Sequence, residues 1–127
     1  MRKLDNTDSI SAEQEEALAR ILGARLTSVQ FVMDYLILGF DPKGALTTLV
    51  WPEIIKKNGT LRFGMDEYRN ELCSLIERIV KSVTIDHDET IIINFDNGTE
   101  MRIPLKSYQY SGERAILTGP KHYLYVF

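Results

Sequence analysis

The side chains most often used for nucleophilic or metal chemistry are few in this sequence: Cys73, His87 and His122. His87 lies in the run Asp86-His87-Asp88-Glu89, whose imidazole and carboxylates are ligand types for zinc. This run falls between two predicted strands, where a polar turn facing water is expected. His122, between a lysine and a tyrosine, is typical of a surface position. We therefore predict that neither histidine holds a metal.

Cys73 is the only candidate for a nucleophilic thiol. It follows Leu72 in an apolar helical pattern and has no glycine elbow and no flanking cations to lower its pKa. The sequence therefore predicts a buried thiol that serves packing. One cysteine forms no intrachain disulfide, and no glycine-rich phosphate loop is present, so we predict no catalytic residue and no cofactor.

The C-terminal third mixes cations with aromatic side chains. We predict that a binding surface there is formed by Tyr108, Tyr110, Arg114, His122, Tyr123 and Tyr125. Tyrosine and arginine are enriched in protein interfaces, and cations with aromatic rings also bind single-stranded nucleic acid. In a third interpretation, alternate tyrosines face the core.

The run 122–127 is apolar and contains no proline. An exposed edge strand of this composition would be prone to pair with other chains. We therefore expect it to be ordered and, if it forms an edge, to lie in a dimer interface.

These side chains must be positioned by helices and antiparallel strands. A capping box at Ser11 and apolar spacing to Leu22 predict a first helix over 11–22, ended by Gly23. Strands are expected over 28–33, 35–40 and 45–51, with a turn at 41–44. The stretch 53–64 is ambiguous.

In the second half, the spacing of apolar residues from Tyr68 to Val80 predicts a longer helix. A strand is expected over 80–86, and Asn97-Gly98 predicts a hairpin between 90–96 and 99–104. Two more strands are expected over 115–118 and 122–127.

The two halves are similar at an offset of 54 or 55 residues. Leu36, Leu38 and Phe40 align with Ile91, Ile93 and Phe95 at 55, and the first helix aligns with the second at 54. This pattern suggests a duplication of a helix-plus-three-strand unit, with the alternative that any amphipathic helix followed by a hairpin aligns this well.

Length and net charge further limit the classes of protein to which this chain can belong. The 127 residues fit one domain, with a loosely held segment 1–10, a first half 11–52, a second half 66–105 and C-terminal strands 106–127. A net charge of −3 gives no general attraction for a phosphate backbone, so nucleic acid is an unfavourable partner. The start lacks the apolar run of a signal peptide, and the run 35–40 is too short to span a bilayer. We expect a cytoplasmic protein without membrane contact.

Four stretches carry a resemblance: 31–41, 68–76, Phe95-Asp-Asn-Gly-Thr99 and Tyr110-Ser-Gly-Glu-Arg114. They resemble small uncharacterised bacterial domains, some of them immunity proteins found beside polymorphic toxins. This resemblance implies a non-catalytic domain that binds a partner. The strands expected after the second helix also resemble an Sm-like barrel, which would imply RNA binding, but the loop after residue 105 lacks that family's glycine and asparagine signature.

Together these patterns predict an α+β fold: a strongly curled or barrel-like antiparallel sheet of six to eight strands, with two packed helices. The function expected first is a protein-interaction domain with a protein partner or a second copy. The alternatives are a small-molecule-binding or hydrolytic enzyme and an Sm-like nucleic-acid binder.

Overall fold

A computed structural model describes residues 6–86, 89–106 and 113–127, with side chains from residue 12 onward. The described helices are α1 (Asn6–Leu18), which continues into a 3₁₀ turn (Ala19–Ile21), and α2 (Tyr68–Cys73). The described strands are β1 (Ser28–Val32), β2 (Tyr35–Gly39), β3 (Ala45–Thr48), β4 (Glu53–Lys56), β5 (Gly59–Leu61), β6 (Val80–Asp86), β7 (Thr90–Phe95), β8 (Glu100–Pro104), β9 (Ala115–Gly119) and β10 (Tyr123–Val126).

The fold is α+β with two helices, as predicted, but the strands form two antiparallel sheets of five rather than one curled sheet. Sheet 1 has the order β1-β2-β3-β9-β10, and sheet 2 has the order β6-β7-β8-β4-β5. The chain leaves sheet 1 after β3 and returns to it with β9, so the five strands after α2 are divided between the sheets. Among the described residues neither sheet closes into a barrel, and the Sm-like order is absent.

Both sheets are built in the same way. Three consecutive strands form a meander, and a hairpin from the other half of the chain extends it through β3–β9 or β8–β4 pairing. The exit from β3 lies beside the entry to β9, because the Leu49 amide donates a hydrogen bond to the Arg114 carbonyl at 2.7 Å. Each sheet is therefore completed only by strands from the opposite half.

Four backbone hydrogen bonds join segments 23–26 and 77–80 between the halves: Gly23 N to Val80 O (2.9 Å), Glu77 N to Leu26 O (2.7 Å), Leu26 N to Arg78 O (2.9 Å) and Val80 N to Ala24 O (2.8 Å). A shift of 54 residues exchanges Gly23 with Glu77 and Leu26 with Val80, so each bond maps onto another. Arg25 and Ile79, also 54 apart, form the bridge at the centre. This junction has local two-fold symmetry in its backbone.

One hydrophobic core collects side chains from both sheets and both helices. Side chains that alternate between the two faces of each strand supply this core. In β7, Ile91, Ile93 and Phe95 are buried while their neighbours are partly exposed. The aligned residues of β2 and its end, Leu36, Leu38 and Phe40, are equally buried.

Both helices differ from the predicted ones. The helix α1 begins at Asn6, so Ser11 lies inside it and does not cap it. The helix α2 has only six residues, and the chain from 74 to 79 follows turns up to β6. Glu77 adopts a positive φ of 83° and donates to Leu26, which stops a helix from continuing there.

Candidate protein-interaction edge

The strand β10 forms one edge of sheet 1 and pairs only with β9 among the described strands. Its register places Tyr123 opposite Gly119 and Tyr125 opposite Leu117. The Phe127 amide donates to the Ala115 carbonyl at 2.8 Å. In an antiparallel ladder hydrogen-bonded pairs recur at every second residue, so Tyr123, Tyr125 and Phe127 direct their backbone groups toward β9. Leu124 and Val126 therefore direct their N–H and C=O groups away from the sheet.

The two faces of β10 have different environments. Tyr123 and Tyr125 are half-buried against the core, and the rings of Tyr125 and Phe127 make an edge contact at 4.9 Å. Leu124 and Val126 lie on the outer face and are 60% and 41% exposed. Two adjacent apolar side chains thus lie beside two sets of outward-directed backbone groups.

A shallow groove of about 230 Å³ separates the tyrosine face of β10 from α1 and the 3₁₀ turn; it is lined by Glu13, Glu16, Ala17, Arg20, Tyr123 and Tyr125. The Arg20 guanidinium lies 3.4 Å from the centre of the Tyr123 ring, a cation–π contact. Burial raises the pKa of Tyr125, and the nearby Glu13 carboxylate and Tyr123 raise this pKa further. The neutral phenol is thus the stable form beside this acidic groove.

The other sheet edges carry features that protect an edge from strand addition. The helix α2 contacts β1, and α1 contacts β6, which also has a register shift between Val80 and Ser82. The strand β5 has three residues and is followed by Arg62, whose Nε lies 2.7 Å from Glu53 Oε2. Helix cover, bulges, shortness and charge all block edge pairing. By contrast, β10 has no charged residue, proline or register shift within its bounds.

The predicted binding residues are only partly brought together. Tyr123 and Tyr125 lie on the same face of β10 and pack against the core. This agrees with the third interpretation above, in which alternate tyrosines face the core. His122 is exposed, as predicted, but it lies in the turn before β10 and not in the strand expected over 122–127, and it does not line the groove. Arg114 is half-buried, and its backbone amide donates to the Phe127 carbonyl at 2.9 Å. Tyr108 and Tyr110 lie outside the described residues.

The prediction of a buried Cys73 is wrong, because its side chain is exposed. Tyr68 and Leu72, four residues apart on α2, point into the core. The next residue is rotated by about 100° and faces solvent. The expectation rested on a helix reaching Val80, which does not form. Of the run 86–89, residues 87 and 88 lie outside the described residues, and Glu89 pairs with Lys106 at 3.3 Å.

An aromatic cluster at the start of α2 was not predicted. Trp51 stacks on Phe63 with ring centres 4.1 Å apart, and Arg69 lies 5.7 Å from the rings of Phe31 and Phe63. These residues come from separate segments of the chain that contain no recognised motif. No local pattern in the sequence therefore predicted that they would be in contact. A cavity of about 190 Å³ borders the cluster.

The described residues contain no group of three or more His, Cys, Asp or Glu side chains that could hold a metal ion. No described helix is long and apolar enough to cross a membrane. Comparisons with protein-family models, curated proteins and solved structures found no match.

Proposed function

We propose that this chain is a protein-interaction domain that binds an extended segment of another polypeptide along β10. The observation that carries the proposal is the outer edge of β10, which pairs with no other described strand and where Leu124 and Val126 combine outward backbone groups with exposed apolar side chains. A strand added to such an edge gains main-chain hydrogen bonds, while side chains on alternate positions give specificity. A toxin-immunity role is one form of this function, motivated by the resemblance described above.

The acidic groove makes nucleic acid a poor ligand for the same region. Glu13 and Glu16 would repel phosphates, and the Arg20 side chain already lies on the Tyr123 ring. Single-strand binding needs a basic groove with free aromatic faces. A hydrolytic site in this groove would need a histidine, but His122 does not line the groove. These features favour a protein partner.

The experiment compares Leu124→Lys with Met33→Lys in tagged chains recovered from native host cells. Both substitutions replace an exposed apolar side chain, and Met33 is 86% exposed in the β1–β2 turn. Surface changes of this kind alter stability by about 0.5 kcal/mol or less. We expect a co-purifying protein to be lost with Leu124→Lys and kept with Met33→Lys, and its complex to slow hydrogen exchange at the Leu124 and Val126 amides. A partner that Leu124→Lys retains, or that leaves these amides unprotected, contradicts the proposal.

We also propose that the two halves are equivalent units that exchange their second hairpins. The common strand order of the sheets and the hydrogen bonds related by 54 residues support this proposal. The positive φ of Gly23 (77°) and of its counterpart Glu77 (83°) supports it further, because a side chain rarely adopts that conformation without cause. In this arrangement β5 and β10 are counterparts, and among the described edges β10 lacks the charged pair that follows β5.

A further inference from the structure

We infer that the segment bound along β10 belongs to a second copy of this chain, paired antiparallel about a two-fold axis at Tyr125. This inference rests on the proposed function, since it names the partner of the same edge. Three properties of β10 support this pairing: its register, its outer side chains and the lack of charged residues within the strand.

The register follows from which backbone groups point outward. With the axis at Tyr125, Leu124 lies opposite Val126 of the partner subunit and Val126 opposite the partner's Leu124, which forms four hydrogen bonds. An axis at Leu124 would bring His122 opposite Val126, but His122 has a φ of 62° and lies outside the strand. An axis at Val126 would place Leu124 beyond the partner's β10 strand. Only the Tyr125 axis uses every outward group of β10.

The side chains also complement themselves in this register. Leu124 and Val126 would meet their counterparts on the outer face as two apolar cross-strand pairs. On the same face Val126 already lies opposite Ile116 of β9, which is half-buried. The apolar row of sheet 1 would thus continue into the second copy without a break.

The charged side chains nearest to the strand along the chain stay apart in the two copies. No charged side chain occurs within β10, and the nearest one along the chain is that of Lys121, in the turn before the strand. Antiparallel pairing about Tyr125 places the two Lys121 residues at opposite ends of the joint, roughly 25 Å apart at about 3.4 Å per residue. Such a separation exceeds the screening length of about 8 Å at physiological salt.

The product is one continuous sheet made from the five strands of each copy. A four-residue strand pair buries less than the roughly 1,200 Å² typical of stable complexes, so we expect a weak, concentration-dependent dimer.

Disulfide trapping tests the register directly. In a Cys73→Ser background, Tyr125→Cys places two thiols on directly opposed residues with Cα atoms about 4.5 Å apart, within the range that a disulfide bridges. Leu124→Cys is the matched control: the residue is more exposed, but its two copies would lie about 8 Å apart, beyond that range. We expect mild oxidation to cross-link Tyr125→Cys and not Leu124→Cys. Equal cross-linking of both variants overturns the proposed pairing.

Sedimentation of the unmodified chain over rising concentration provides a second measurement that does not depend on the Tyr125 variant folding. The expected result is a monomer–dimer equilibrium that Leu124→Lys abolishes and Met33→Lys leaves unchanged. A chain that stays monomeric up to the submillimolar range overturns the second-copy inference. If a different protein is then still captured by a contact that needs Leu124, the proposed function stands without the dimer. If no capture depends on Leu124, both proposals fail.

Discussion

Tyr68 is the side chain that fixes the start of α2 to the crossing between the sheets. It is almost fully buried, its hydroxyl donates a hydrogen bond to the Pro52 carbonyl, and its ring meets Phe63 edge-on. Removing the hydroxyl leaves a buried carbonyl without this donor. We expect Tyr68→Phe to lower the free energy of unfolding by about 1–2 kcal/mol, measured by denaturant titration at neutral pH.

The same residue makes a pH prediction. Burial raises the pKa of Tyr68 well above its usual value of about 10, and the Glu53 carboxylate raises this pKa further. The unfolded chain therefore ionises first, so the contribution of the phenol is complete below about pH 10 and falls as the pH rises above it. The stability difference between wild type and Tyr68→Phe should shrink between pH 9 and pH 11. A difference that stays constant over this range contradicts the assignment.

At the scale of elements, the contact between the turn after β2 and the end of β9 depends on one glycine. Gly44 has a φ of 136°, and a Cβ at this position would collide with the Thr118 carbonyl oxygen in the neighbouring strand. We expect Gly44→Ala to lower the melting temperature clearly more than Gly98→Ala. Gly98 also has a positive φ (88°), but a Cβ there meets no atom within 4 Å, so this control measures backbone strain alone. Equal losses in the two variants would show that the Gly44–Thr118 approach is unimportant.

Local patterns predicted most of the strands but not how they combine. The hairpin at Asn97-Gly98 and the strands β1, β2, β9 and β10 follow from turn chemistry and alternation, which are local properties. The helix expected up to Val80 ends at Cys73, because Glu77 pairs with Leu26 from the other half. The extension of each sheet by a hairpin from the other half depends equally on contacts between distant segments, so one sheet was expected where two form.

The candidate site was predicted in the same partial way. The composition of the C-terminal run pointed to Tyr123 and Tyr125 and to an ordered strand that would lie in an interface if it formed an edge. The identity of the outward residues, Leu124 and Val126, requires the pairing of β10 with β9, which the sequence alone does not supply. The contact of Arg20 with Tyr123 joins opposite ends of the chain and has no local signal.

For the whole molecule, the exchange of hairpins predicts that neither half folds alone. We expect fragments 1–65 and 66–127 to be largely unfolded when separate, because each meander lacks the hairpin that extends it. Mixing them should restore the circular dichroism spectrum and a cooperative melt. A fragment 1–65 that melts cooperatively without its complement would contradict the exchange.

The pairing of Ala45 with Thr118 joins residues 73 positions apart, and it has a consequence for synthesis on the ribosome. The first meander emerges early, but its third strand is not paired on its outer side until β9, the ninth of the ten described strands, has been made. During that interval β3 is itself an open edge on a nascent chain, and unpaired edges of this kind are prone to aggregation. Translation pauses in the second half of the message would lengthen this exposure, whereas pauses before β3 would not.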